Sequence, residues 1–467
     1  MFKKPALIII FILGILACIY AEDTNAGAAA NGDEETITTL TDNFSTLVYP
    51  SFWHTPFGIH RGTPLHLKLF LGNRTYFDNP QGLACTKLLL DYGKINKDKD
   101  DWQLTVYGVN SGRGEIIYNP SMHSLAVFGE KGSREGQLFN PKGIACNEYG
   151  DIYIADTGND RIARFYNNGR KVTFIRNIGD TGSGPGKFNK PSYVALDSNG
   201  RIYVSDSGNN RVQLFSKSGG YLASIGQEKG ILNPQGICVC DDAERYSGYR
   251  VNCIYLIDGN NSRVQKFDFN GNLMQSIRVN DILGKSVFLT SLAQDYYGNV
   301  YIVDNLNSCV YKFSPDLRFI AEAGKYGSGD YEFENPTGIA IYKHYGQVFV
   351  SDKESAQYFW IGSDARDFTV KQIKTGESDK LQFDFFLTEK SYVCIQIVPE
   401  DTSIKPVEVC AKAGLEMGKN SIEWDIPTVF KGVIRPGFTY GVNLRVMSTY
   451  SSYPHIEKVL KSSVYIE

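Results

Sequence analysis

Asp156, Asn159 and Arg161 stand within six residues in the stretch DIYIADTGNDRIARF. A carboxylate, an amide and a guanidinium at that spacing could hold a cation, polarise a carbonyl or exchange a proton. The same trio suits the end of a hairpin, where a short acidic side chain accepts backbone N–H bonds from the turn after it. The rest of the chain decides between them. RIYVSDSGNNRVQLF, CIYLIDGNNSRVQKF, NVYIVDNLNSCVYKF and QVFVSDKESAQYFWI repeat the pattern. Their aspartates are Asp156, Asp206, Asp258, Asp304 and Asp352, with successive gaps of 50, 52, 46 and 48 residues. A weaker copy, DWQLTVYGVNSGRGEIIYN, begins at Asp101 and places Tyr107 where the aspartate belongs. Catalysis draws different residues from different repeats, whereas one identical aspartate per repeat is what architecture demands. Each aspartate is therefore expected to anchor a turn, with asparagine in the left-handed position and arginine covering or pairing with the neighbouring unit. These aspartates and Tyr107 rim one face and are the ligand-face candidates. Departures at Tyr193, Cys309 and Gln357 mark where that face varies. No catalytic residue and no metal ligand is assigned.

Other chemistry is thinly represented. Six histidines (His54, His60, His66, His123, His344 and His455) recur at no fixed repeat position and form no HExxH pair. GDTGSGPGKF, around Gly179, misses the phosphate-loop spacing because Thr181 stands where its first glycine would. There is no GxSxG and no DxDxDG loop. No cofactor is predicted, and calcium or zinc held by turn oxygens stays open. A formal charge of −3 leaves no basic face for nucleic acid. Nine cysteines become eight if Cys18 is removed with an export signal, an even number for an oxidising compartment. Cys240 with Cys253, and Cys394 with Cys410, sit on neighbouring predicted strands and are the candidate disulfides. Cys85 and Cys146 share one repeat position inside apolar strands and read as small core residues.

The elements that must position these residues are strands. Apolar residues alternate with period two, as at Ile152 and Ile154 or Val300 and Ile302. Each unit opens on a head such as NPQGLAC, NPKGIAC, NPQGICV or NPTGIAI, and three heads follow glycine-rich leaders. KPSYVAL lacks the glycine, and FLTSLAQ lacks both proline and glycine. Four strands per unit of about fifty residues is the arithmetic of a propeller blade.

The heads, the aspartate strands and the following N-x-R-I-x-x-F-like strands resemble the NHL-repeat family over about residues 65–365. The resemblance implies a six-bladed β-propeller. PLHLKLFLG, from Pro64 to Gly72, looks like an outer strand and is expected to close the last blade. The family includes a zinc-dependent lyase with histidines converging on the channel, a pattern the histidines here do not match. Beyond Val370, SIEWD and IRPGFTYGVNLRV resemble the small Ig-like module of flagellar hook-capping proteins. The fold class is thus all-β, a six-bladed propeller of four-stranded blades followed by a small Ig-like β-sandwich.

Lys3 and Lys4 precede ALIIIFILGILACIY, the pattern of an export signal. The lipobox-like ILAC offers a lipid anchor at Cys18 as a second reading, and no other segment approaches membrane-spanning length. Residues 1–21 are expected to be the signal peptide and 22–60 an acidic and polar spacer with an N-terminal lead-in. The propeller then covers 61–366 and the sandwich 367–467. The expected function is that of an exported, non-enzymatic binding or scaffold protein for a protein or glycan ligand, secreted, periplasmic or at the cell surface. The alternative is a metal-dependent lyase or hydrolase working in the central channel.

Overall fold

Alternation along a strand determines what each face of a sheet meets. In Asp151–Asp156 all six residues are buried. Ile152 and Ile154 pack with Ile116 and Tyr107 on one side, and Tyr153 and Ala155 pack with Val194 and Val204 on the other. A strand that alternates between two neighbouring sheets has no solvent face. Burying each large side chain contributes about 1.5–3 kcal/mol, and that repeated contact drives the stacking of units.

The computed structural model describes residues 38–40, 46–50, 54–55, 59–89, 104–121, 124–375, 378–401, 403–426, 433–450 and 452–467. The export segment expected at 1–21, with Cys18, lies outside them, as do most of 22–60 and His123. No helix among the described residues is long and apolar enough to cross a membrane.

Five four-stranded antiparallel sheets follow one another along the chain. Their first strands are Pro80–Lys87, Ile144–Cys146, Pro191–Leu196, Ile237–Cys240 and Leu289–Gln294. A last sheet, built on Gly338–Tyr342, Gln347–Ser351 and Ala356–Ile361, takes its outer edge from upstream in the chain. The first strands touch in cyclic order, and that of the last sheet touches that of the first. The sheets form a closed β-propeller. Close approach of the inner strands accounts for the head glycines. A Cβ on Gly143 would lie 2.5 Å from the Tyr193 Cα, and one on Gly338 would lie 2.4 Å from the Gln81 carbonyl oxygen.

Ring closure corrects one expectation. Pro64–Leu71 is an α-helix, α1, and not a strand. The alternating LHLKLFL reads as a strand, but Thr63 and Pro64 open a helix, and His66 Nδ1 accepts the Thr63 N–H at 3.2 Å to complete the start. The closing strands lie earlier. Leu47 and Val48 pair with Ile361 and Trp360, and Arg61 and Gly62 pair with Gln357 and Ala356.

Downstream, a five-stranded sheet and a three-stranded sheet enclose one apolar core that includes Leu381, Phe383, Val393, Ile395, Val442 and Leu444. Thr38–Leu40 supplies the edge of the larger sheet, parallel to Ile456–Ile466. The propeller and the downstream sheets meet through apolar and polar contacts: Tyr450 packs with Tyr301 and Phe359, and Ile456 with Trp360, while Tyr297 Oη lies 2.7 Å from Thr449 Oγ1 and Ser452 Oγ donates to Ile361 O at 2.7 Å.

All eight described cysteines are free thiols. Cys240 and Cys253 oppose each other directly in register, and their thiols share a hydrogen bond that raises Cys253 and lowers Cys240. Cys410 opposes Ile395, the residue after Cys394, and packs toward the core with it. Alternation turns Cys394 to the other face of the sheet, so this pair does not meet. Cys85 and Cys146 occupy equivalent first strands, where burial pushes the Cys85 thiol up to about 12.

Candidate functional site

Asp156 ends its strand fully buried, and every oxygen is committed. Oδ1 accepts the Phe139 N–H at 2.7 Å. Oδ2 accepts from Asn159 and from Arg161 Nε, both at 2.8 Å. Arg161 then donates to the carbonyls of Ser133, Arg134 and Gln137, in the leader that brings the chain in from the preceding sheet. The pair is a rivet holding that leader against its own blade. Asp206 and Arg211 repeat it, with Asn189 N–H and the carbonyls of Gly184 and Lys187. Asp258 and Arg263 repeat it with Leu232 N–H. In the fifth sheet Cys309 stands in the arginine position, and Tyr311 Oη donates to Asp304 at 2.8 Å instead. Asparagine does not take the left-handed position in the second sheet; Asp160 does, at φ 52°. Burial lifts the Asp156 carboxyl above the usual aspartate range, against the N–H donors around it. The five candidate aspartates are at most 1% exposed.

Tyr107 does not occupy the aspartate position of the first sheet. It is buried in the core, where its Oη accepts from Asn167 Nδ2 at 2.7 Å. The position belongs to Asn110, whose Oδ1 accepts the Asp78 N–H at 2.7 Å. Glu115 replaces the arginine, and Arg113 bonds to it at 3.1 Å. The residue types are permuted, with Asn110, Arg113 and Glu115 standing where the second sheet has Asp156, Asn159 and Arg161, which hid this copy from a pattern built on Asp and Arg.

The last sheet divides its rivet between two chain segments. Gln357, in the arginine position, donates to Glu332 O at 2.6 Å. Arg61, from the closing strand, donates to Ser328 O, the equivalent of Ser133 O in the second leader. Tyr331 stands where other leaders have Gly136 and Gly186, and it shares their left-handed conformation at φ 58°. A bulky residue there is strained by roughly 1–2 kcal/mol. In return Tyr331 N–H donates to Tyr49 Oη at 2.9 Å, the two rings lie 4.3 Å apart, and Tyr49 Oη donates to Gln357 at 2.8 Å.

Two concave regions remain. The central channel is crossed by Tyr193, which replaces the head glycine of the third sheet; its Oη reaches Thr337 O of the last sheet at 3.4 Å. Among the described residues, no group of three or more histidine, cysteine or acidic side chains could hold a metal ion. The second region lies between the last sheet and the first. Thr337 Oγ1 and Ser351 Oγ bridge to Pro80 O and Gln81 O at 2.9 Å near the channel. Farther out the sheets part around a cavity of about 290 Å³, roofed by α1. Continuous apolar cores fill the other interfaces between consecutive sheets. His54, His60 and His66, scattered in the sequence, all line this cavity. His60 Nε2 lies 3.3 Å from Asp330, and burial lowers the affinity of His66 for a second proton. Nothing in the repeat pattern marks the cavity, because its roof and its three histidines lie outside the repeats.

Comparison with known proteins bears on the fold. The NHL repeat family matches residues 188–215. The chain is 37% identical over 82 residues to the B-box type zinc finger protein ncl-1 of Caenorhabditis elegans, covering 18% of this chain and 9% of that protein. It is 43% identical over 58 residues to Protein brain tumor of Drosophila melanogaster, covering 12% and 5%. The chain thus spans less than a tenth of the length of these relatives. Among solved structures, a streptogramin B lyase is 14% identical, with a TM-score of 0.40 over 56% of this chain and 76% of that one. A putative gluconolactonase is 11% identical, with a TM-score of 0.43 over 68% and 97%.

Proposed function

We propose that the chain is an exported NHL-type propeller of six four-stranded blades followed by an Ig-like β-sandwich. Its role is that of a non-enzymatic binding or scaffold protein for a protein or glycan ligand. The make-up of the Asp-turn face carries this reading. The carboxylates there are spent on the turns. Phe139, Leu232 and Phe288, whose N–H groups the aspartates hold, are instead 40%, 43% and 47% exposed, and Leu306 in the Asp304 turn is 58% exposed. Large apolar side chains displayed on a rigid, polar rim favour a macromolecular partner. The competing enzyme reading needs an open channel, and Tyr193 stands across it. The test is capture from a cell-surface extract by the wild-type protein and by the triple variant Phe139→Ser, Leu232→Ser, Phe288→Ser. A partner lost by the triple variant at unchanged melting temperature supports the reading. Stoichiometric metal in the purified protein, whose chelation lowers the melting temperature, would favour the enzyme instead.

A further inference from the structure

We infer that Cys240 and Cys253 close a cross-strand disulfide when a disulfide oxidant is supplied, and that this bond staples an insertion bracing the end of the propeller opposite the Asp turns. The inference does not rest on the Asp-turn face. Only the oxidising compartment rests on the proposed export, and the experiment below supplies its own oxidant.

Length defines the insertion. Residues 241–252 join the first two strands of the fourth sheet, twelve residues where the second, third, fifth and last sheets use four or five. In each sheet this turn lies at the end away from the aspartates. Asp241 accepts from Ser198 N–H and Oγ, in the turn of the third sheet, at 2.7 and 2.6 Å. Gly248 N–H donates to Tyr296 O, in the turn of the fifth sheet, at 2.7 Å. Glu244 accepts from Lys343 Nζ of the last sheet at 2.7 Å, and the Tyr246 ring lies 4.3 Å from that of His344. One loop thereby ties four sheets of the ring.

Cys240 and Cys253 flank the insertion, ending one strand and beginning the next, and they oppose each other in register. Opposed residues of an antiparallel pair have Cα atoms about 4.5–5.5 Å apart, inside the window of about 4.4–6.8 Å that a disulfide spans. No other described cysteine faces a cysteine across a ladder. The two thiols already touch through the hydrogen bond that lowers Cys240 and raises Cys253, so Cys240 is the nucleophile. Its thiolate attacks one sulfur of a small disulfide such as oxidised glutathione and expels one glutathione. Cys253 then loses its proton and attacks the Cys240 sulfur, which expels the second. Two cysteine thiols become one disulfide, and the two glutathiones take up the two protons and the two electrons. Ser247 Oγ donates to Tyr249 O at 3.0 Å, so that carbonyl keeps a donor when the Cys240 thiol, 3.4 Å from it, gives up its hydrogen. Both cysteines are fully buried. The bond therefore forms during folding, before the insertion seats, and is shielded from reductant afterwards.

The experiment refolds the full chain from denaturant in reduced glutathione alone and in a mixture of reduced and oxidised glutathione. Free thiols are then capped with N-ethylmaleimide in denaturant, and tryptic peptides are mapped by mass spectrometry without reductant. From the mixture, Cys240 is expected in a disulfide with Cys253 while Cys238 is capped, and the melting temperature lies above that of the reduced chain. From reduced glutathione alone, all three are capped. Recovery of Cys240 and Cys253 capped from the mixture overturns the inference, as does a link from Cys253 to Cys238. A linked chain that melts no higher than the reduced one overturns the bracing role. None of these outcomes requires a variant to fold, and none depends on whether the Asp-turn face captures a partner.

Discussion

Replacing Asp156 by asparagine keeps an acceptor for the Phe139 N–H but takes the counter-charge from Arg161, which is left among backbone carbonyls. Removing one partner of a buried ion pair costs about 3 kcal/mol or more. Asp156→Asn should lower stability by that amount in denaturant unfolding and leave capture by the Asp-turn face unchanged. Asn110 shows why asparagine works in the first sheet: its neighbour is Glu115, not arginine, and the pair is neutralised by Arg113. The aspartates were legible because identical residues recur at nearly constant spacing. The first copy was not, because permuted residue types keep the bond from the incoming backbone N–H while erasing the residue identities. The Arg61 contribution was equally hidden, since no local pattern ties it to a leader far along the chain.

At the scale of elements, strand and blade order follow from period-two alternation, and the helix at Pro64–Leu71 is where alternation misleads. Only Leu67 of α1 is buried, while Leu65 and Leu69 are more than half exposed, so the helix is set by its start signals and not by an apolar stripe. The departures at Gln357 and Tyr331 both belong to ring closure, where Tyr49 bonds to each. Tyr49→Phe removes both bonds and should cost about 2 kcal/mol. Limited proteolysis or hydrogen exchange should show residues 46–50 and 59–62 opening first in that variant. Uniform loss of protection across all sheets would contradict the assignment of Tyr49 to closure.

In the whole molecule, the propeller and the downstream sheets share a buried ionic cluster. Lys312 of the fifth sheet pairs with Glu389 of the downstream sheets, and Asp295 and Asn299 lie beside them. Burial, reinforced by Asp295, pushes the Glu389 carboxyl from 4.5 up to about 7, against the pull of Lys312. A carboxyl held above its unfolded value binds its proton more tightly in the native state. Its stabilisation is therefore greatest below about pH 4.5 and is lost as pH rises to about 7, on the order of 3 kcal/mol. Thermal unfolding across that window should show the decline, and Glu389→Gln should flatten it. The pairing of Thr38–Leu40 with Ile456–Ile466 was not readable in the sequence, because local pattern says nothing about partners so distant. Distance also governs how the ring forms. Tyr49 and Gln357 are 308 residues apart, and closing a loop of that length costs about 5 kcal/mol of chain entropy. Until Leu47 and Val48 dock, the last sheet presents a bare edge. In concentrated solution the same segment of a second molecule meets that edge, exchanging the entropy of a long loop for a bimolecular encounter. Strand-swapped dimers are the characteristic misassembly of a ring sealed in this way.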